Sequence, residues 1–264
     1  MAIFDIHVHI FPDKIAEKAT AAVSRFYDLP HRFDGKLSTL LKELDKAGIE
    51  RFAAHSVATT PKQVASINDF ILDSYAKYPD RIVPFAAMHP GVDDPWKTMD
   101  DIVAAGFRGV KIHPDIQGFR LDDENVLQMI AAIEGRLPLL IHTGDRRYDN
   151  SGPARMNHVL DIFPNLTVIC AHLGGWSEWE DAQALAKYDN IYVDTSSSLY
   201  ALSPDKAASL IRGFDGGRVL FGTDYPMWDP EGEINRFMAL PLTDAEKENI
   251  LWNNAERLLG KEKA

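Results

Sequence analysis

Eight short apolar runs rich in β-branched residues recur along this 264-residue chain, each closed by a polar or Gly/Pro cluster and followed by apolar residues at helical spacing. They are IFDIHVHI at the start, RFAAHSVA from Arg51, RIVPFAAMHP from Arg81, GFRGVKIHP from Gly106, LPLLIHTG from Leu137, LTVICAHLGG from Leu166, IYVDTSSS from Ile191 and VLFGTDYP from Val219. Helices are predicted between and after them over 37–47, 62–78, 96–105, 124–134, 154–163, 178–187, 204–212 and 244–259. Ser177 is read as a helix cap ahead of Glu178, Glu180 and Asp181, and Ser203-Pro204-Asp205 as another helix start. Alternation this regular predicts an α/β fold with parallel strands. At a length near the ~250 residues usual for it, the expected architecture is one (β/α)8 TIM barrel, a single domain over residues 1–264. An open doubly wound sheet would need a reversal of strand order that nothing here signals.

Two segments depart from the alternation, 12–35 after the first run and 230–241 before the last helix, and the first is long enough to act as a lid. With 45% apolar and 25% charged residues the composition is that of an ordinary globular protein, and there is no linker or low-complexity tract to mark a second domain. The net charge of −11 argues against nucleic acid or an anionic membrane as the main partner, since those require a basic face. A small-molecule substrate is expected instead, and self-association into a homo-oligomer is left open. The single cysteine, Cys170, lies in an apolar run and reads as a small buried hydrophobe, so the redox compartment is undemanding and a cytoplasmic location is expected. The first residues are interrupted by Asp5, His7 and His9 and read as neither a signal peptide nor a membrane span.

His7 and His9, two apart in the first run, project from the same face of a strand and form a potential metal clamp. Taken alone, the pair also fits one structural and one exposed histidine. What strengthens the metal reading is that His142, His172 and Asp224 close the fifth, sixth and eighth runs. Those are the C-terminal ends of barrel strands, where side chains from several strands can converge on one ion. One cysteine and a strand-end carboxylate suggest an open, catalytic shell, and structural zinc usually fills its positions with Cys and His. A non-catalytic metal-dependent sensor is the rival of a different class. Lys111 and His113 share a face in the fourth run. His55 and His89 are read as core or rim residues, and His31 and His158 as surface residues. Arg146 and Arg147, just after His142, suit a substrate carboxylate or are merely solvated, and Trp176, Tyr200, Met227 and Trp228 are candidates for an apolar wall.

Asp5-x-His7-x-His9, IHTG at His142, AHLGG at His172 and GTDYP at Asp224 occur in an order and spacing that resemble the amidohydrolase superfamily. The resemblance spans nearly the whole chain and is closest to the amidohydrolase-related branch, which holds metal-dependent hydrolases, lactonases and decarboxylases. It implies that His7, His9, His142 and Asp224 surround a divalent metal, with His172 beside it as a catalytic group. In two-metal members a lysine placed as Lys111 is here would be carboxylated and bridge the ions, with His172 a ligand. The reading favoured here is one ion, with Lys111 a buried ammonium paired with a carboxylate. Zinc is expected, with manganese or iron also compatible with nitrogen and oxygen ligands.

The expected chemistry is attack of metal-activated water on an amide, ester or lactone carbonyl of a small carboxylate-bearing substrate, because a bound cation lowers the pKa of water from 15.7 toward ~7. Asp224 would take the water's proton and His172 would stabilise the oxyanion or protonate the leaving group. Arg146, Arg147, Trp176 and Tyr200 would contact substrate. The alternative keeps the site and changes the reaction to decarboxylation of an aromatic or unsaturated carboxylic acid.

Overall fold

In a computed structural model of the chain, described here over residues 1–260, the eight runs form strands β1 (Phe4–His9), β2 (Arg51–His55), β3 (Ile82–Ala87), β4 (Gly109–Ile112), β5 (Leu139–Ile141), β6 (Val168–Cys170), β7 (Ile191–Asp194) and β8 (Val219–Leu220). They pair in parallel in chain order. Closure falls between β8 and β1, where Ile6 N–H donates to Phe221 O at 2.9 Å and Asp224 N–H to His7 O at 2.9 Å. The result is a single-domain (β/α)8 TIM barrel.

The helices are α1 (Ala16–Tyr27), α2 (Leu37–Ala47), α3 (Val64–Lys77), α4 (Pro95–Ala104), α5 (Pro114–Gln117), α6 (Glu124–Ile133), α7 (Pro153–Ile162), α8 (Pro204–Gly213), α9 (Pro230–Met238), α10 (Asp244–Glu248) and α11 (Asn254–Leu259). The last two run on through one π-helical turn at Asn249–Asn253, so the helix expected over 244–259 is continuous. The helix expected from 178 is instead a 3-10 helix, Asp181–Lys187. Ser177 does not cap it: its backbone is left-handed (φ 63°), and its hydroxyl accepts from Arg146 N. Ser203 does cap α8, accepting from Lys206 N. Among the described residues no helix is long and apolar enough to cross a membrane.

Alternation along the strands sorts side chains between two cores. Phe52, Ala54, Val110, Ile112, Leu139, Ile141, Val168, Cys170, Ile191 and Val193 join the large cluster shared with the helices. Phe4, Ile6, Ala53, Val83, Phe85, Leu140, Ile169 and Leu220 form a second cluster that fills the barrel, with Ala255 and Leu259 of α11 beneath. In β1 the parity changes midway. Phe4 and Ile6 belong to the inner cluster and Val8 and Ile10 to the outer one, and the β1–β2 register slips between Asp5 and Val8. That irregularity frees His7 and His9 to face the barrel mouth above Phe4 and Ile6.

Candidate metal centre

Six of the nine histidines form a continuous arc around the mouth. Ring centroids run from His113 to His142 at 4.0 Å, His142 to His172 at 4.7 Å, His172 to His7 at 5.1 Å, His7 to His9 at 5.3 Å and His9 to His55 at 4.4 Å. His172 and Asp224 are turned into this arc by left-handed backbone, with φ of 61° and 59°. Non-glycine residues seldom adopt that conformation, and strain of this kind concentrates at functional sites.

Hydrogen bonds to groups that can only accept assign the tautomers. His7 Nδ1 lies 2.8 Å from Asp194 Oδ2, so Nδ1 carries the proton and the Nε2 lone pair faces the cavity, 3.2 Å from Lys111 Nζ. His172 Nδ1 lies 3.1 Å from the carbonyl of Ser196, which leaves Nε2 to accept from His142 Nδ1 at 2.9 Å. His142 therefore keeps its lone pair on Nε2, with the Tyr27 hydroxyl 3.4 Å away. Asp224 Oδ1 stands 3.6 Å from His7 Nε2 and 3.5 Å from His9 Nε2, while Oδ2 accepts from Ser197, itself held by Trp228 Nε1 at 2.7 Å.

Burial drives the imidazoles of His7, His9, His55, His113 and His142 well below the ordinary histidine range, and that of His172 down to about 4. Neutral imidazoles with lone pairs aimed into one space are metal ligands in their binding form. Burial lifts Asp224 to about 6 and lowers Lys111 to about 8. Nitrogen atoms of His7, His9 and His55 come within 4.8 Å of one another, and both ring nitrogens of His55 are buried without a hydrogen-bond partner. Buried polar atoms are seldom left so, and a donor set of neutral imidazoles with one carboxylate fits a divalent cation.

The expected ligands thus meet in two linked groups. His7, His9 and Asp224 stand together, and His142 joins them through His172. Lys111 is not paired with a carboxylate as expected, since its polar partner is His7 Nε2. The substrate contacts divide more sharply. Trp176 lines the cavity. Tyr200 instead stacks behind Trp228 at 4.4 Å. Arg146 is exposed on its loop. Arg147 is committed elsewhere: it grips both oxygens of Asp145, donates to Phe26 O and lies over the rings of Phe26, Tyr27, Tyr148 and Trp176. Neither arginine reaches the cavity, so a guanidinium clamp for a substrate carboxylate is absent from its lining among the described residues.

Three residues of the site were assigned no role from the sequence, and of these only His113 stood out there, sharing a face with Lys111. Asp194, which orients His7, closes β7 just as Asp224 follows β8, so its position at a run's end was an available signal. His113 lines the cavity two residues after Lys111. Tyr27 at the end of α1 places its hydroxyl 2.6 Å from His113 Nε2 and 3.4 Å from His142 Nε2, and no motif marked it. Segment 12–35 supplies one wall of the cavity through α1.

No curated protein matches the chain. Among solved structures, an uncharacterized TIM-barrel protein, Bb4693 from Bordetella bronchiseptica, is 23% identical with 98% of each chain covered and a TM-score of 0.80. A 2,6-dihydroxybenzoate decarboxylase complexed with 2,6-dihydroxybenzoate is 18% identical, with 99% of this chain and 100% of that one covered and a TM-score of 0.76. A dihydroxybenzoic acid decarboxylase from Polaromonas sp. JS666, with bound manganese and the inhibitor 2-nitroresorcinol, is 16% identical, with 100% and 98% covered and a TM-score of 0.74. At these identities the likeness is one of fold. The Amidohydrolase family model matches residues 4–261, which with the strand-end histidines and Asp224 places the chain in that family of the amidohydrolase superfamily.

Proposed function

We propose that this chain is a metal-dependent decarboxylase acting on a small aromatic or unsaturated carboxylic acid, with one divalent cation held by His7, His9, His142 and Asp224. The observation that carries the reading is the cavity above the histidine arc. It is walled by Phe11, Phe26, Phe70, Trp176, Met227 and Trp228, and among the described residues no arginine lines it. Apart from the ion and Lys111 at the floor, these walls offer a carboxylate neither water nor a guanidinium partner, whereas carbon dioxide leaves as a neutral molecule that an apolar wall does not penalise. Aromatic carboxylate decarboxylases of the same fold, covered over 98% or more of their length, support this over the hydrolysis by metal-activated water expected from the sequence.

A bound cation would supply electrostatic grip on the substrate's carboxylate or hydroxyl oxygens. The remaining work falls to side chains. As the carbon–carboxylate bond breaks, its electron pair stays on carbon and takes a proton, and Asp224 is placed to donate it. Burial raises its carboxyl above the ordinary carboxylate range, and the Trp228–Ser197 chain holds Oδ2 so that Oδ1 faces the cavity. His172 acts through His142, whose Nε2 lone pair it keeps turned to the site. Arg147 serves as an anchor for α1, and Trp176 provides an aromatic wall. The imidazole and carboxylate set suits manganese, iron or zinc.

The test is incubation of metal-loaded protein with hydroxybenzoates and, separately, with lactones, esters and amides. Carbon dioxide release, with deuterium from heavy water entering the vacated carbon, is expected from the first panel. It should stop on chelation and in His7→Ala and His9→Ala proteins. Turnover confined to the second panel would establish hydrolysis, with Asp224 taking a proton from water. Full activity in metal-stripped protein would overturn the metal centre itself.

A further inference from the structure

We propose that the substrate carries an apolar tail beyond its metal-binding head, and that the tail lies in the trough between α1 and α3. This rests on the metal-centre reading but not on which reaction occurs there. The cavity is about 710 Å³, in the upper part of the ~300–1,000 Å³ range that accommodates drug-sized ligands, and a single ring with two or three small substituents fills only a fraction of it. Its floor is polar, with His7, His9, Lys111, His142, His172 and Asp224, and its outer part is mostly apolar.

The apolar part has two walls. On α1 and the residue before it, Ile15, Ala19, Ala22, Val23 and Phe26 recur at spacings of four, three, one and three, a single stripe along the helix. Such a stripe normally packs on protein. Here only Ala16 and Thr20 of α1 are buried, and the stripe borders the cavity. Val57, after β2, and Ile67 and Phe70 of α3 form the opposite wall. Between them the trough is continuous with the histidine floor, so a ligand held by its head at the ion has an apolar path leading outward.

Charge gives an anionic group no partner along the trough between its floor and its lip. Lys18 at the outer lip and Lys111 at the floor are the cationic side chains of the lining among the described residues. The polar residues on the α3 side are already partnered, since Thr59 donates to Gln63 and Ser66 to the Gln63 carbonyl. Small residues at Ala19 and Ala22 keep the channel open. Larger side chains there would occupy the space assigned to the tail.

Straight-chain alkyl hydroxamates test the assignment, because the hydroxamate grips a divalent ion whichever reaction the site performs. Calorimetric affinity of manganese-loaded protein should rise from acetohydroxamate to octanohydroxamate by up to about fourfold per methylene buried. That slope should flatten in Ala22→Trp and lessen in Phe70→Ala, with metal content measured alongside. The 1-alkanols from butanol to octanol, which need no ion, should show the same dependence on length and on Ala22→Trp. Affinity flat with chain length in both series overturns the tail, as does a slope that Ala22→Trp leaves intact. Alkanols that follow the expected slope while no hydroxamate binds and no ion is found would uphold the trough and overturn the metal centre.

Discussion

The Nδ1 atom of His7 lies 2.8 Å from Oδ2 of Asp194, a residue 187 positions further along the chain. A carboxylate in this position fixes the imidazole so that its Nε2 lone pair points into the cavity, where the proposed ion would sit. Asp194 Oδ1 meanwhile accepts from the backbone N–H groups of His172 and Ser196. In Asp194→Asn the oxygen can keep those bonds while the amide nitrogen faces His7. His7 must then accept at Nδ1 and carry its proton on Nε2, which blocks it as a ligand. Metal affinity is expected to fall about 10- to 100-fold with the barrel still folded, the range found when such outer partners are lost. Competition with a chromophoric chelator measures it, and unchanged affinity would show that Asp194 does not set the tautomer.

How much of this was legible beforehand differs by residue. The barrel could be read because each strand is a short β-branched apolar run closed by a polar or Gly/Pro cluster, and His142, His172 and Asp224 announce themselves by closing their runs. The parity change in β1 could not, because a register irregularity leaves no mark on the order of residues, and plain alternation would have put Phe4 and Ile6 opposite the inner cluster that they join. Arg147 misled for a related reason. A rim arginine suits a substrate carboxylate by chemistry, but its own neighbours Asp145 and Tyr148, with the distant Phe26 and Tyr27, claim the guanidinium first. Tyr27 reaches His113 across 86 positions, and nothing local to either residue encodes that meeting.

Segment 12–35 should open and close over the site. Its helix α1 is tied to the barrel by few bonds near its C-terminal end: Tyr27 to His113 at 2.6 Å and Arg147 to the Phe26 carbonyl at 2.8 Å. Hydrogen exchange over α1 is expected to be faster than over α3 without ligand, to slow when a hydroxamate is bound, and to quicken in Arg147→Ala. Exchange that is already fully protected and indifferent to ligand would rule out a moving lid.

Gly144 ends the IHTG motif with a φ of 83°, and a Cβ there would lie 2.5 Å from Trp176 N and 2.6 Å from Trp176 O. The turn after β5 is thus pressed against the loop after β6, where Trp176 N–H donates to Thr143 O at 2.7 Å. Gly144→Ala should therefore cost more than the ~1–3 kcal/mol that left-handed backbone alone costs a non-glycine residue. Gly118→Ala is the control, because its φ is 76° but nothing lies within 4 Å of the added methyl. Urea unfolding of both variants separates backbone strain from collision, and equal losses would mean that the contact with Trp176 is unimportant.

Asp5, the first residue of the Asp5-x-His7-x-His9 motif, faces β8 and not the proposed ion site. Its Oδ1 accepts from the backbone N–H groups of His7 and Thr223, each at 3.0 Å, and its Oδ2 from the Thr223 hydroxyl. Complete burial outweighs these donors and lifts its carboxyl to about 7. An acid whose pKa is raised on folding binds its proton more tightly in the native state. Its contribution to stability is therefore complete below the ordinary range near pH 4 and is lost as pH rises through about 7. Asparagine holds the neutral state at every pH, and the Thr223 hydroxyl can turn to accept from its amide. The buried histidines have depressed values and slope the other way, losing stability as pH falls through their ordinary range, but they are common to both proteins and cancel in the difference. With the ion removed by chelator from each, the stability of wild type minus that of Asp5→Asn should decline by on the order of 1–3 kcal/mol between pH 5 and 8. Denaturant titrations at the two pH values measure that difference directly, and parallel stabilities would show that Asp5 is already ionised in the folded barrel at pH 5.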